Sequence, residues 1–273
     1  MRSTVETNKI NIIKLGGEVI EDANKLLSFL KMFVEYPGHK ILVHGGGKTA
    51  SSVARKLGLN VTMIDGRRVT DLKMREVVQS VYGGLVNKNL VSNLQGLGCP
   101  AIGLTGADMG VIKAHRRGLL NGIDYGYVGE VDEVDSDRLL GLLKMGLTPV
   151  IAPLSWDPDF GLLNTNADTI TREIATSITS KLDLPTEVYF SFGLDGVLKD
   201  INNPDTLIST LDKHTYYADK KSGSITAGMI AKLDNAFACI DNGVTQVTIG
   251  SWANINSPEK GTRLILEQGA SHV

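Results

Sequence analysis

An α/β fold on a mainly parallel sheet is what this sequence predicts. Two observations carry that reading. Short runs rich in Val, Ile and Leu alternate with longer segments of helical period. The first two runs, Ile10 to Leu15 and Ile41 to Val43, each close on glycines, Gly16-Gly17 and Gly45-Gly46-Gly47. At 273 residues the chain can bury a large core, although length alone does not separate one large domain from two fused lobes.

The elements follow in order. After Gly17 a helix carries Leu26, Leu27, Leu30, Phe33 and Val34 on one stripe. Lys48 to Leu57 is the helix behind the second strand, ended by Gly58. Val61 to Ile64 reads as a strand before the tight turn Asp65-Gly66, and Thr70-Asp71 as the cap of a long helix through Val81. Ala101 to Leu104 is another buried strand. Residues 110–134 are strand-like and glycine-rich, which predicts β-hairpins. A helix over Ser136 to Lys144 leads to a strand over Thr148 to Ala152. Asn164 to Asn166 opens a helix reaching about Leu182, with Thr165 or Asn166 as its N-cap. Beyond Pro185 come a strand over Glu187 to Phe192, a helix over Thr226 to Asn242, and strands over Gln246 to Ile249 and Thr262 to Leu266. Pro185 is the candidate boundary between lobes 1–185 and 186–273.

Composition excludes several classes. A formal net charge of −2 provides no global field for nucleic acid or an anionic membrane. No apolar run approaches the ~20 residues needed to span a bilayer. The opening MRSTVETNKINIIKLGG lacks the apolar stretch of a signal peptide, so the simplest expectation is a soluble cytoplasmic protein. Cys99 and Cys239 lie far apart and outside any C-x-x-C or Cys/His spacing, as reduced core thiols do. His39, His44, His115, His214 and His272 form no triad or metal-ligand pattern, and no metal-ligating residues are expected.

GGGKT at 45–49 resembles a phosphate loop, but the glycine required five positions before Gly47 is Leu42. Gly45, Gly47 and Ala50 also fit a dinucleotide fingerprint, with Asp65 at about the right distance. Taken singly, either glycine loop could be a tight strand-to-helix turn. Taken together, both open at the same carboxyl edge of a parallel sheet, where bare backbone N–H groups can approach an anion. Two facing amide nests suit a substrate that is negative at both reacting ends. Phosphoryl transfer to a carboxylate is such a reaction.

Polar residues complete the pattern. Lys14 alone reads as a solvated edge charge, yet before a double glycine it can reach a bound phosphate. Lys232, near the start of the last long helix, is the candidate second cation or simply a surface lysine. Asn164-Thr-Asn166-Ala-Asp168 is either a capping arrangement or a site in which Asp168 holds two ammoniums. Arg68 offers a fork for a carboxylate. No general base is required, because a side-chain carboxylate acceptor is already ionised at neutral pH.

IIKLGG at 12–17, VHGGG at 43–47, GRRVT at 66–70, LNTNAD at 163–168 and Gly-Met-Ile-x-Lys at 228–232 together resemble the amino-acid kinase family. The ordered set runs from Ile12 to Leu266 and displaces the dinucleotide reading, which accounts for none of Lys14, Asn164, Asp168 or Lys232. The resemblance implies an αβα sandwich on a mainly parallel central sheet, as in carbamate kinase-like folds. It implies ATP-dependent phosphorylation of the γ-carboxylate of an N-acylated glutamate, acetylated or alternatively succinylated, in arginine biosynthesis. Lys14, Lys232 and Asp168 would be catalytic. Gly46, Gly47, Arg68, Asn164 and Asn166 would bind the acyl-amino acid, and Gly16 and Gly17 would line the phosphate path. Gly193, Leu194, Asp195, Gly196, Val197, Leu198, Ser224, Ile225 and Thr226 would meet the nucleotide, with Mg²⁺ held mainly through its phosphates.

Lobe 1–185 would bind the acyl-amino acid and form a homodimer, and lobe 186–273 would bind ATP. The sequence departs from the family pattern in two places. A Thr/Ser-Asp pair is replaced by Phe192-Gly193, which also raises the reading of a non-catalytic ligand-binding member. The compact stretch Ser251 to Gly261 and the short lead point to an arginine-insensitive dimer. A succinyl substrate would need another cation, for which Arg67, Lys113, Arg116 and Arg117 are candidates.

Overall fold

Successive side chains of a strand alternate between faces, and β1 (Ile10–Leu15) uses both. Ile10 and Ile12 join one hydrophobic core, while Ile13 and Leu15 join a second on the opposite side of the sheet. A computed structural model of the chain describes residues 9–64, 66–181, 184–223, 225 and 227–266. The lead before Lys9, together with Asp65, Leu182, Ser224, Thr226 and His272, lies outside the described residues.

From β1 the chain makes a short helical turn α1 (Gly17–Ile20) and helix α2 (Ala23–Glu35), then β2 (His39–His44) and α3 (Gly47–Lys56). Asp22 caps α2 by accepting from Asn24 and Lys25. On α2, Phe29, Leu30 and Phe33 are buried, whereas Leu27 is 45% exposed. Leu26, Leu30, Phe33 and Val34 of the predicted stripe face the core, and Phe29 takes the place expected for Leu27. The hairpin β3 (Met63–Ile64) and β4 (Arg67–Arg68) follows.

Asp71 caps α4 (Leu72–Val78) through Met74 N, as expected, but the helix does not end at Val81. It passes through a π-helical segment, Gln79–Val86, into α5 (Asn87–Gly96). A Cβ on Gly83 would lie 3.3 Å from Thr105 and 3.5 Å from Leu154. That glycine serves close packing inside a continuing helix rather than a stop.

β5 (Ala101–Leu104) precedes the expected hairpin strands β6 (Ile112–Arg116) and β7 (Gly129–Val134), then α6 (Ser136–Lys144) and β8 (Thr148–Ile151). A hairpin of β9 (Leu154–Asp157) and β10 (Gly161–Asn164) was not anticipated. Its turn is held by Asp157 Oδ1, which accepts from the amides of Asp159 and Phe160. α7 (Ala167–Lys181) is capped by Asn166, whose Oδ1 accepts from Asp168 N at 2.7 Å. The chain ends with β11 (Thr186–Phe192), β12 (Thr210–Asp212), α8 (Lys213–Ser222), α9 (Ala227–Asp241), β13 (Gln246–Ser251) and β14 (Thr262–Ile265). β12 and α8 were also unanticipated.

The central sheet has the order β12-β14-β13-β11-β1-β2-β8-β5 and is parallel except between β13 and β14. Helices α2 to α5 cover one face, and α6, α7 and α9 the other, which makes an αβα sandwich. The four strands after Pro185 form one half of the sheet and four earlier strands form the other, with β11 and β1 at the seam. By parity Lys14 belongs to the face of Ile10 and Ile12, the one covered by α7 and α9.

Candidate active site

The carboxyl ends of β11, β1 and β2, adjacent in the sheet, form the edge where ligands of open α/β sheets bind. The two glycine loops meet there. Gly45 N donates to Leu15 O at 3.0 Å. A Cβ on Gly45 would sit 3.3 Å from Gly17 N, and one on Gly17 would sit 3.7 Å from Gly46 N.

Gly46 has φ of +154°, and a Cβ there would lie 3.0 Å from the Tyr82 ring. Tyr82 comes from the π-helical segment, a type of irregularity common at functional sites. Arg68, buried at 7% exposure, donates through Nη2 to Gly47 O at 2.7 Å and Ser51 Oγ at 2.8 Å. Its Nη1 is buried and has no hydrogen-bond partner within the protein. Asn164 Nδ2 donates to Thr70 Oγ1, which in turn donates to Arg68 O.

Lys14 Nζ lies 2.9 Å from Asp168 Oδ1, with both side chains 9% exposed; this is a close ion pair whose angle is not that of a hydrogen bond. Lys232 reaches the same place from α9. Its Nζ lies 3.9 Å from the centre of the Phe192 ring, and Lys14 Nζ lies 5.5 Å from it. The expectation that Asp168 grips both lysines is thus corrected in part: Lys14 makes the direct contact, and Lys232 rests on the aromatic face. Burial and the neighbouring Lys14 hold the Lys232 ammonium below its usual pKa, against the opposing pull of Asp168 and Glu18. Two ammoniums thus stand at the sheet edge where the glycine loops open.

The model of the amino acid kinase family matches residues 9–251. The chain belongs to the amino acid kinase family. It is 47% identical to an acetylglutamate kinase of Cytophaga hutchinsonii over 88% of this chain and 90% of that one. It is 44% identical to an acetylglutamate kinase of Bacteroides thetaiotaomicron over 94% and 98%. The solved structure of smu.665 from Streptococcus mutans UA159 superposes with a TM-score of 0.78 at 27% identity, covering 96% of this chain and all of that one.

In this amino acid kinase the expected nucleotide-side residues scatter. Gly193 and Asp195 are exposed, Leu194 and Leu198 half-buried, and Asp195 accepts from Asn254 Nδ2. Val197 is buried in the core and its amide donates to Thr262 Oγ1. Gly196 is packed against Thr262, with no room for a Cβ. Ile225 is half-buried against the core, and Ser224 and Thr226 lie outside the described residues. Among the described residues no group of three or more His, Cys, Asp or Glu is arranged to hold a metal.

Behind the loop sits His44, the last residue of β2 and fully buried. His44 Nδ1 is 2.7 Å from Gly45 O, which only accepts, and its Nε2 is 3.2 Å from Asn87 Nδ2. That amide group also donates to Val150 O, so it is a donor, and His44 is the neutral Nδ1–H tautomer. Burial pushes its pKa down to about 4. An unfolded histidine takes up a proton near pH 6.5, before the folded one does, so stability falls as pH drops through that window. Urea unfolding compared between the native chain and His44→Gln should show about 3 kcal/mol of extra loss between pH 6.5 and 4 in the native chain. Equal losses in both proteins would contradict the buried neutral state.

Proposed function

We propose that this chain transfers the γ-phosphoryl group of ATP to the γ-carboxylate of N-acetyl-L-glutamate, the second step of arginine biosynthesis. One observation carries the reading: the Lys14–Asp168 pair and Lys232 converge around Phe192 beside the joined glycine loops. Relatives named acetylglutamate kinase over most of the chain support the choice of substrate.

A γ-carboxylate oxygen attacks the terminal phosphorus, the bond from that phosphorus to the bridging oxygen breaks, and ADP departs with the electron pair. No proton need move, because the acceptor is already ionised. The work of the protein is positioning and charge neutralisation. Lys14 and Lys232 offset charge on the transferred group, and Asp168 holds Lys14 in place. The amides of Gly16 and Gly17 line the phosphate path, and those of Gly46 and Gly47 hold the γ-carboxylate. Arg68 Nη1 and Asn164 take the α-carboxylate, with Asn166 fixing the start of α7. On this reading Gly193, Leu194, Asp195, Leu198 and Ile225 meet the nucleotide, while Gly196 and Val197 support them from the core side. Mg²⁺, carried mainly by the nucleotide phosphates, would supply further charge neutralisation when bound. This suits a pocket whose own charges are two ammoniums facing one carboxylate.

Residues 1–185 hold the acyl-amino acid and 186–273 the nucleotide, in a cytoplasmic homodimer insensitive to arginine. A succinyl group would add a carboxylate. Among the candidate cations Arg116 is paired with Asp124 and Arg117 lies 3.7 Å from Glu130, which leaves the exposed Arg67 and Lys113 for such a group.

The test is ADP release from MgATP with N-acetyl-L-glutamate, the acyl phosphate being trapped as hydroxamate. Turnover confined to N-succinyl-L-glutamate would reassign the substrate, and turnover with neither would refute the reading. Arg68→Ala should raise KM for the acyl-amino acid about 10- to 100-fold with a smaller change in kcat. An unchanged KM in steady-state assays would remove Arg68 from the α-carboxylate.

A further inference from the structure

Gly193 is the residue at which this chain departs from the Thr/Ser-Asp pair of the family it resembles, and the space above its Cα is filled. A Cβ built on Gly193 would lie 2.5 and 2.7 Å from the two carboxylate oxygens of Glu18 and 2.9 Å from the carbon between them. Nothing larger than hydrogen fits at 193 unless Glu18 moves. Glu18 is the second residue of α1, directly after the Gly16-Gly17 loop, and its exposed side chain crosses to the end of β11. The adjacent residue, Phe192, carries the Lys232 ammonium on its ring at 3.9 Å. The carboxylate and the ammonium are thus placed at consecutive residues, Gly193 and Phe192, without forming a direct ion pair.

We propose that Glu18 is a positioning residue of the reaction, its carboxylate seated over Gly193 and acting on the Lys232 ammonium beside it. The inference rests on the phosphoryl-transfer reading of this site. The charged groups that act on Lys232 come from three elements: Lys14 on β1, Asp168 on α7 and Glu18 on α1. Lys14 disfavours the ammonium, as does burial, while Asp168 and Glu18 favour it. Asp168 is already in contact with Lys14, so Glu18 is the carboxylate without another basic partner in this group. Its removal leaves Lys232 to lose its proton at a lower pH.

Glu18→Gln changes an exposed side chain and leaves the cores untouched. We expect kcat to fall about tenfold, and the alkaline limb of its pH profile to move to lower pH. KM for N-acetyl-L-glutamate should stay within about twofold, because Glu18 is not assigned to that substrate. The double variant Glu18→Ala/Gly193→Asp should recover most of the loss, because an aspartate at 193 begins where the Glu18 carboxylate now ends. An unmoved alkaline limb, or a double variant no better than Glu18→Ala, overturns the inference.

A second readout needs no turnover. The Lys232 titration, followed by NMR in ¹³C-lysine-labelled protein and assigned with Lys232→Arg, should have a lower midpoint in Glu18→Gln. Equal midpoints overturn the role of Glu18. Absent turnover in the unaltered chain counts against the proposed reaction alone.

Discussion

Lys14→Ala should lower kcat about 100- to 1000-fold, the loss typical of removing one preorganised group that meets developing charge. The same change should destabilise the fold. Asp168 is 7% exposed and would lose its contact partner, and breaking a buried pair costs about 3–5 kcal/mol. Lys232 is close enough to offset part of that, so the lower end of the range is expected. Lys14→Arg separates the two effects. It keeps the charge opposite Asp168 and hence the fold, but a planar fork does not replace a compact ammonium, and kcat should still fall about tenfold or more. Single-turnover kinetics and urea midpoints measure both. Full kcat in Lys14→Ala would end the role assigned to this residue.

Gly46→Ala should give the second large effect. The added methyl meets the Tyr82 ring at 3.0 Å on a backbone with φ of +154°, a conformation that side chains rarely tolerate. Strain of about 1–3 kcal/mol is expected, released by shifting the loop. A shift of that kind moves the amides assigned to the γ-carboxylate, so kcat/KM should fall about 100-fold. Adding Tyr82→Leu frees space but not the dihedral angle. Recovery in that double variant identifies the ring contact as the cause, and persistent loss identifies the backbone. Wild-type kinetics in Gly46→Ala would show that the loop does not cradle the acceptor.

Much of the site was legible because its signals are local. Lys14 stands in a strand one residue before two glycines, and strand parity decides which helices it meets. Asn166 precedes a helix by the spacing of an N-cap, and its Oδ1 accepts as that spacing predicts. What escaped depends on groups brought together across the chain. His44 and Asn87 meet across 43 positions, and Tyr82 reaches Gly46 only because the helix expected to stop at Val81 continues. Glu18 carries no signal in its own neighbourhood; its meaning comes from the missing side chain at Gly193. The β9–β10 hairpin was within reach of the sequence, since Asp157-Pro158-Asp159 is a turn pattern between apolar runs.

The seam between the two halves of the sheet has a mechanical consequence. β11 and β1 are joined in register from Ile10↔Thr186 to Lys14↔Phe190, so the halves share a continuous hydrogen-bonded ladder. Swinging them apart like jaws about a hinge would tear that ladder next to the reacting groups. Motion between the halves is therefore confined to twisting or bending of the sheet, which keeps the ladder whole.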